Sequence, residues 1–411
     1  MRNNDIESSL KRFLKRKVKI TLGVVVAFLI TGIVGYGADI VAEGGSKAYT
    51  ESEVGNGNPK IIGGWNYVSG SDKNTNHSNS TTSITLTSGT VDELIGGNHL
   101  KDVTSKEEYT SKIGKTSVTM NDGTVQYLIG GSKSNGTNAD IENGKTKVLV
   151  TGGTIGQSDS NGVIKAGLIG GNYIKSTSGQ GTLITAKTDE TDVEITGGRF
   201  KNKVIGGSFV DTYGTNTVNE LTVEDKETNL KISGGTFDGF VIGGGAAAGT
   251  GNTSTVGTSN LTIKGGIFNS NIYAGGAALE SGKGKNDIGT VRVSNSNLTI
   301  DGTDVVKGNL KFSGAIYAGG LDSGISGKIT LTLKNLTQDM FKSKGGIYGG
   351  SKGSTEGALV EDGDIEINIS NSHIYADILG GGGAFGKSSK VKAKNTKITV
   401  SNTSISGQSK R

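Results

Sequence analysis

Apolar and polar residues alternate in short runs along most of the chain. Leu230 and Ile232 frame a lysine in "NLKIS", and Ile365, Ile367 and Ile369 alternate with polar residues in "IEINIS". Runs such as "TSITLTSG", "TSVTMNDG", "TKVLVTGG" and "TDVEITGG" repeat the pattern. A period of two with many β-branched residues is typical of half-buried strands. The chain is therefore predicted to be built from many short β-strands.

A second pattern, an apolar pair followed by a glycine pair, recurs ten times as "IIGG", "LIGG", "VIGG", "IYAGG", "IYGG" or "ILGG". The first glycine stands at positions 63, 96, 130, 170, 206, 243, 275, 319, 349 and 380, with a mean spacing of about 35 residues. A fixed period of ~20–50 residues indicates a repeat protein. Each unit would hold an alternating strand, a glycine corner, a second short strand and a polar loop of variable length, such as "SKSNGTNADIENGK" or "GAAAGTGNTSTVGTS".

These units predict an all-β fold, a parallel β-solenoid of the right-handed β-helix type with about ten coils. We expect the repeats over residues 61–400, a polar linker or N-terminal cap over 38–60, and an incomplete repeat or tail over 401–411. A kelch-type propeller is the rival fold, because "IYAGG" is similar to its blade motif. Kelch units run to ~50 residues and carry a tryptophan in each blade, whereas Trp65 is the single tryptophan here.

Composition fits a thin, tightly wound β-structure. Glycine accounts for 70 of 411 residues and proline for one, while cysteine is absent. A chain without cysteine has no disulfides, no thiolate catalysis and no cysteine metal ligands, so packing and hydrogen bonds must hold the fold together.

The N-terminal 37 residues have the layout of an extended signal peptide, predicted as a helix. The basic run "KRFLKRKVK" precedes an apolar stretch over 20–34, and Gly35 and Gly37 stand before a cut at Ala38. Fifteen apolar residues are short for a membrane anchor, which needs ~20. The leader holds seven basic and two acidic residues, which leaves 36 of each sign in the remainder. We therefore expect export through the Sec machinery and no nucleic-acid partner.

The stretch "NNDIESSLKRFLKRKVKITLGVVVAFLITG" resembles the extended signal peptides of fusobacterial-type autotransporters and related surface proteins. The resemblance covers about thirty of the 411 residues. It implies an adhesin-like or structural passenger, monomeric when mature, that is exposed on a Gram-negative outer membrane or released from it. Its partners would be host-cell or bacterial surface proteins or glycans. Such a family also implies a C-terminal β-barrel, so we expect a truncated or split reading frame.

One nucleotide-binding motif occurs in the sequence. "GGGAFGKS" over Gly381–Ser388 matches the phosphate-binding loop G-x-x-x-x-G-K-[ST]. That loop needs a following helix whose N-terminus faces the phosphates. The next residues, "SSKVKAKNTKITV", predict a strand instead, so we interpret the match as a coincidence in a glycine-rich chain.

The remaining polar residues give no pattern typical of a catalytic, cofactor or metal site, and none is predicted. The histidines His77, His99 and His373 lack ligand spacing and are expected on the surface or in loops. The calcium-binding nonapeptide of β-rolls is missing. The alternative function is a β-helix polysaccharide-degrading enzyme, a lyase or hydrolase, which would gather carboxylates with calcium or arginine. Here the acidic residues fall singly near corners or together in a loop, and arginine outside the leader is scarce: Asp92, Glu93, Asp122, Asp238, Asp301, Glu107, Glu108, Arg199, Arg292 and Arg411.

Tyrosines occupy the same position in three successive units. Tyr273, Tyr317 and Tyr348 each precede a glycine pair and should stack in register as a ladder. A ladder that faces inward would fill the core, which is the favoured interpretation. An exposed ladder would offer rings for stacking against sugars.

Overall fold

The computed structural model describes residues 39–49, 59–68, 74–101, 109–135, 139–156, 166–176, 184–212, 221–281, 287–341 and 345–406. All of them belong to one compact unit, Thr31–Arg411. The fold is an all-β solenoid of about nine turns with a repeat of about 34 residues, and neighbouring coils pair through parallel sheets. The predicted fold class is confirmed. The signal peptide lies outside the described residues.

One side of the solenoid is an eleven-stranded parallel sheet, here called the long sheet. Its strands are Gly45–Tyr49, Asn74–Leu86, Tyr109–Met120, Ala139–Val150, Ile184–Ile195, Leu221–Ile232, Thr253–Ile263, Thr290–Asp301, Lys328–Lys334, Leu359–Ser370 and Lys390–Ser401. Leu230 pairs with Val193 on one side and Leu261 on the other, so like residues stack in columns. The alternating residues of the sequence are the buried positions of these strands.

The glycine-pair sheet has sixteen strands, arranged in two rows. In two coils a single longer strand belongs to both rows and so joins them. The first row follows the long sheet across a corner and contains Thr154–Ile155, Arg199–Phe200, Thr236–Phe237, Gly266–Phe268 and Leu310–Phe312. The merged strands are Thr90–Ile95 and Thr124–Ile129. The second row precedes the glycine pairs and contains Ile40–Val41, Lys60–Ile62, Ala166–Ile169, Lys203–Ile205, Val241–Ile242, Ile272–Tyr273, Ile316–Tyr317, Ile347–Tyr348 and Ile378–Leu379.

The loop sheet follows the glycine pairs and has seven parallel strands. They are Asn66–Val68, His99–Lys101, Lys133–Ser134, Tyr173–Ser176, Phe209–Thr212, Ala246–Ala248 and Ala277–Leu279. Two further strand pairs are Lys352–Gly353 with Gly383–Ala384 and His373–Ile374 with Ser404–Ile405. The one helical segment among the described residues is a 3-10 turn, Gln338–Met340.

Two hydrophobic clusters lie on opposite faces of the glycine-pair strands. In the apolar pairs from 61–62 to 316–317 the first residue, such as Ile272, joins the main core inside the coil. The second, such as Tyr273, joins a separate outer cluster against the loop sheet. Successive residues of a strand point to opposite faces, so a two-residue strand supplies one side chain to each cluster. The main core also holds a stack of phenylalanines in which Phe200, Phe237 and Phe268 have ring centroids 4.8 Å apart.

The glycine pairs allow neighbouring coils to approach closely at the next corner. A Cβ on Gly130 would collide with the carbonyl oxygen of Gly170 in the following coil, and a Cβ on Gly170 would collide with that of Gly206. Their backbones are also hydrogen-bonded, since Gly131 N donates to Gly171 O at 2.9 Å. In these coils a side chain would collide with the backbone of the next coil, which explains the glycines. Ala274 and Ala318 take the same position in two later coils.

The predicted variable loops contain more structure than their polar composition indicated. The stretch "SKSNGTNADIENGK" includes the first part of the strand Ala139–Val150, and "GAAAGTGNTSTVGTS" includes Ala246–Ala248 and the start of Thr253–Ile263. Small and polar residues occupy inward positions of these strands, among them Asn143 and Ser254. In-register pairing with both neighbouring coils supports these strands even though their own alternation is weak.

Near the start of the described chain, two strands already belong to the stacked sheets. Ile40–Val41 pairs with Ile61 and Ile62, and Gly45–Tyr49 pairs with residues 82–86. Residues 39–49 thus continue the same sheets as the repeats that follow them.

Candidate functional site

The outer cluster fills the corner between the glycine-pair sheet and the loop sheet. Residues four apart face each other across each glycine pair, and a large side chain on one side meets a smaller one on the other. Ile205 faces Phe209 in one coil, whereas Tyr273 faces Ala277 two coils later. All four side chains are buried. Along the second row of glycine-pair strands the residue in this corner changes from isoleucine at Ile205 and Ile242 to tyrosine at Tyr273.

The tyrosine ladder lies in this corner. The ring of Tyr317 stacks between Tyr273, at 5.2 Å between centroids, and Tyr348, at 4.5 Å. Burial raises the pKa of Tyr273 to about 12 and raises the pKa of Tyr317 further. The predicted stacking is confirmed, and Tyr273 and Tyr317 are buried in the outer cluster rather than in the main core. Tyr348 is half-buried and meets the exposed ring of Phe385 edge-on.

A buried ion pair occupies the same corner nearer the N-terminus. Lys133 Nζ lies 2.5 Å from Glu93 Oε1, and Lys60 Nζ lies 3.5 Å from Glu93 Oε2. The ammonium of Lys133 also lies over the rings of Tyr127 and Tyr173, at 6.0 and 5.6 Å from their centroids. Burial lowers the pKa of Lys133 to about 8, while the two lysines keep the pKa of Glu93 below its usual value despite burial. A partner for Glu93 was not predictable from the sequence pattern, because Lys133 is forty residues away.

The histidines lie in different coils and environments. The prediction of a surface or loop position is wrong for His99, which is fully buried in the strand His99–Lys101. The polar neighbours that suggested exposure are themselves turned into the corner between sheets. His77 stacks on Trp65 with 3.5 Å between ring centroids, and burial lowers the pKa of His77. His373 is exposed.

The acidic residues singled out in the sequence form local ion pairs or hydrogen bonds, and they lie in different coils. Asp238 pairs with Arg199 of the preceding coil at 2.9 Å. Asp301 accepts hydrogen bonds from Thr303 and pairs with Lys334, and the hydrogen bonds lower the pKa of its carboxyl to about 2 against the effect of burial.

Two more acidic residues lie at surface turns or edges. Asp122 accepts the N–H of Gly123 at 2.8 Å, and burial raises the pKa of Asp92. Glu107 and Glu108 lie outside the described residues. Among the described residues, no three metal-ligating side chains come together.

The motif Gly381–Ser388 spans a short strand, Gly383–Ala384, and a turn. The next element is the strand Lys390–Ser401, as the sequence predicted. A helix N-terminus, which a phosphate-binding loop uses, does not follow the motif in this part of the described chain.

The outer surface of the long sheet carries charges that pair between coils. Lys112 lies 2.6 Å from Glu142, and Lys226 lies 2.5 Å from Asp189. These pairs line a cavity of about 440 Å³ at the bend of the strands. The pairing neutralises opposite charges at neighbouring coils, so this cavity presents no field of one sign.

A buried hydrogen-bond ladder was not predicted from the sequence. In the coils from Trp65 to Ser208 it uses the residue that follows the glycine pair. Trp65 N donates to Asn98 Oδ1, Asn98 N to Ser132 Oγ, Ser132 N to Asn172 Oδ1, and Asn172 N to Ser208 Oγ, all at 2.9–3.0 Å. The signal was a polar Asn or Ser directly after an apolar pair and two glycines, in "IGGNH", "IGGSK", "IGGNY" and "IGGSF".

No helix among the described residues combines the length and apolarity needed to span a bilayer. Comparison with known proteins yields no significant match to a protein-family model, a curated protein or a solved structure.

Proposed function

We propose that this chain is an exported surface passenger of the autotransporter type, which acts as an adhesin-like or structural protein by presenting the side of its solenoid. Its targets are surface proteins or glycans of host cells or other bacteria. The leader, with its basic run, apolar stretch and small residues before Ala38, supports export to the outer surface of a Gram-negative cell.

The alignment of the described strands on either side of the variable segments carries this proposal. Segments 102–108, 177–183 and 213–220 each connect a strand of the loop sheet to the next strand of the long sheet. Their flanking strands pair in register with those of neighbouring coils, as Tyr173–Ser176 does with Phe209–Thr212. The described strand ends beside these segments therefore recur along one edge of the solenoid. A regular scaffold with variable sequence along one edge is suited to recognition.

The polar groups of the described coils support a binding rather than a catalytic role. Separate coils contain Asp238, Asp301 and Glu93, and each of these residues forms an ion pair with a basic side chain. A β-helix polysaccharide lyase or hydrolase, the alternative function, would need acidic groups and a base gathered on adjacent coils.

The experiment is a binding assay of the mature chain on epithelial cells, bacterial cells and a glycan array. In the test variant, segments 177–183 and 213–220 are replaced by Gly-Ser sequences of equal length. In the matched control, Thr262 and Thr299 on the outer face of the long sheet become serine. We expect saturable binding that the segment exchange abolishes and the control retains. Depolymerisation of acidic polysaccharides, with or without calcium, would instead support the enzyme.

A further inference from the structure

The ladder position is a glycine in four coils, at residues 245, 276, 320 and 382, and the serine that precedes each interruption donates to an aspartate instead. The ladder position after Ser208 in the next coil is Gly245, and the one after Ser351 is Gly382, so neither coil offers a side chain there. Asp225 accepts the N–H and the hydroxyl of Ser208, both at 2.7 Å. Asp362 accepts the same two groups of Ser351, at 2.8 and 2.6 Å.

Both carboxyl groups are buried, with 2% of Asp225 and 5% of Asp362 exposed. Ser208 and Thr188 hydrogen-bond to Asp225, while Ser351 and the N–H of Ile325 do so to Asp362. None of these partners carries a charge. A buried carboxylate without a cation loses its hydration and gains only neutral hydrogen bonds, which disfavours the ionised form.

The charged residues of the surrounding strands do not neutralise the negative charge of either carboxylate. Around Asp225 they are partly or fully exposed and comprise Lys187, Asp189, Asp211, Glu224 and Lys226. Around Asp362 they are also partly or fully exposed and comprise Asp322, Lys328, Lys334, Lys352, Glu361, Asp364, Lys390, Lys392 and Lys394. Several pair with one another, as Lys226 does with Asp189 and Lys392 with Glu361.

We propose that Asp225 and Asp362 form two pH-sensitive contacts, here called the fasteners. These contacts stabilise the packing of their coils more in mildly acidic than in neutral or alkaline solution. When protonated, each carboxyl closes the gap in the ladder without a buried charge. When ionised, each keeps its hydrogen bonds to serine but places a negative charge inside the main core. Acidification therefore stabilises the packing between coils at two defined places in the solenoid.

The direction of the effect follows from proton binding. Burial raises the pKa of Asp225 from 3.8 to about 6, and it raises the pKa of Asp362 in the same direction. Between these pH values the folded chain keeps a proton that the unfolded chain has released. The stabilisation is thus complete below about pH 4 and is lost as the pH rises through about 6. From Asp225 alone, the folding equilibrium constant should fall about fiftyfold between about pH 4 and pH 8.

The test measures guanidinium unfolding of the full chain from pH 4 to 8 for wild type, Asp225→Asn, Asp362→Asn and the double variant. Asp189→Asn, at an exposed aspartate paired with Lys226, is the matched control. We expect each asparagine at 225 or 362 to remove part of the fall in stability with rising pH, and the control to leave that fall unchanged. An unchanged pH dependence in the double variant would overturn the proposal.

A second measurement covers variants that fail to fold. Carbon-13 NMR of wild-type chain labelled at the aspartate carboxyls follows each titration directly. Titration of the Asp225 carboxyl near pH 6 and of the Asp362 carboxyl above its ordinary range, each signal assigned through the backbone, would support the fasteners. Titration of both carboxyls below about pH 4, the ordinary range, would contradict them.

Discussion

Lys133 Nζ contacts Glu93 Oε1 at 2.5 Å across two adjacent coils, and the pair is enclosed by the rings of Tyr127 and Tyr173. The same column of the loop sheet continues through Tyr173 and Phe209, which are apolar contacts in the same corner. A charged pair thus takes the place of aromatic packing at one level of the solenoid. Because both charges are buried, each depends on the other.

Removal of one partner should destabilise the chain strongly. Glu93→Gln leaves the ammonium of Lys133 buried without its carboxylate, and we expect a loss of about 3–5 kcal/mol in the free energy of unfolding. The double variant Glu93→Leu/Lys133→Met replaces the pair with apolar side chains and should recover most of the loss. Chemical denaturation measures both. A single variant as stable as the wild type would show that the pair is not desolvated.

The pH dependence above neutrality should report on Lys133. Burial lowers the pKa of Lys133 from 10.5 to about 8, so the folded state releases this proton before the unfolded chain does. Its contribution makes the free energy of unfolding rise as the pH increases above about 8. Lys133→Met should lack this rise, which thermal unfolding between about pH 7.5 and 9.5 detects. Lys187→Met, at an exposed lysine, should retain it; the same rise in both variants would contradict the assignment.

The tyrosines of the ladder should differ in how much each contributes to the free energy of unfolding. Tyr317 is stacked on both faces and 2% exposed, whereas Tyr348 is half-buried. Tyr317→Ala should cost about 3–5 kcal/mol of stability, as for other buried aromatic residues. Tyr348→Ala should cost clearly less. Equal losses in denaturant titrations would mean that burial in the outer cluster does not determine the contribution of each ring.

Gly170 should tolerate no side chain, because the backbones of its coil and the next coil meet there. In Gly170→Ala the new Cβ would collide with the carbonyl of Gly206 and the side chain of Val193, so the coils must separate. We expect a loss of about 1–3 kcal/mol or more. Gly381→Ala is the matched control, because nothing lies within 4 Å of a Cβ there. The difference between their thermal midpoints tests the close approach, and equal midpoints would refute it.

The sequence specified the repeat and the buried strand positions well. Leu230 and Ile232 alternate with polar residues because one face of a strand is buried, and this period is visible without a structure. The tyrosine ladder was predictable for the same reason, since Tyr273, Tyr317 and Tyr348 share one position in successive repeats.

The missed features depend on contacts between coils. The first part of Ala139–Val150 contains Asn143, a polar residue that is buried only because Ser132 and Asn172 in adjacent coils bind it. Asp225 similarly appears as an ordinary acidic residue until Ser208, in the corner of the preceding coil, is placed beside it. Alternation along one strand cannot indicate such partners, whereas alignment of the residues that follow each glycine pair would have done so.

The most direct test of the account is the location and N-terminus of the protein in the cells that produce it. Fractionation, protease treatment of intact cells and mass spectrometry of the N-terminal peptide together measure export. The account predicts a chain that begins at Ala38, lies on the cell surface or in the medium, and is digested by external protease. A cytoplasmic, protease-protected chain that retains residues 1–37 would contradict it.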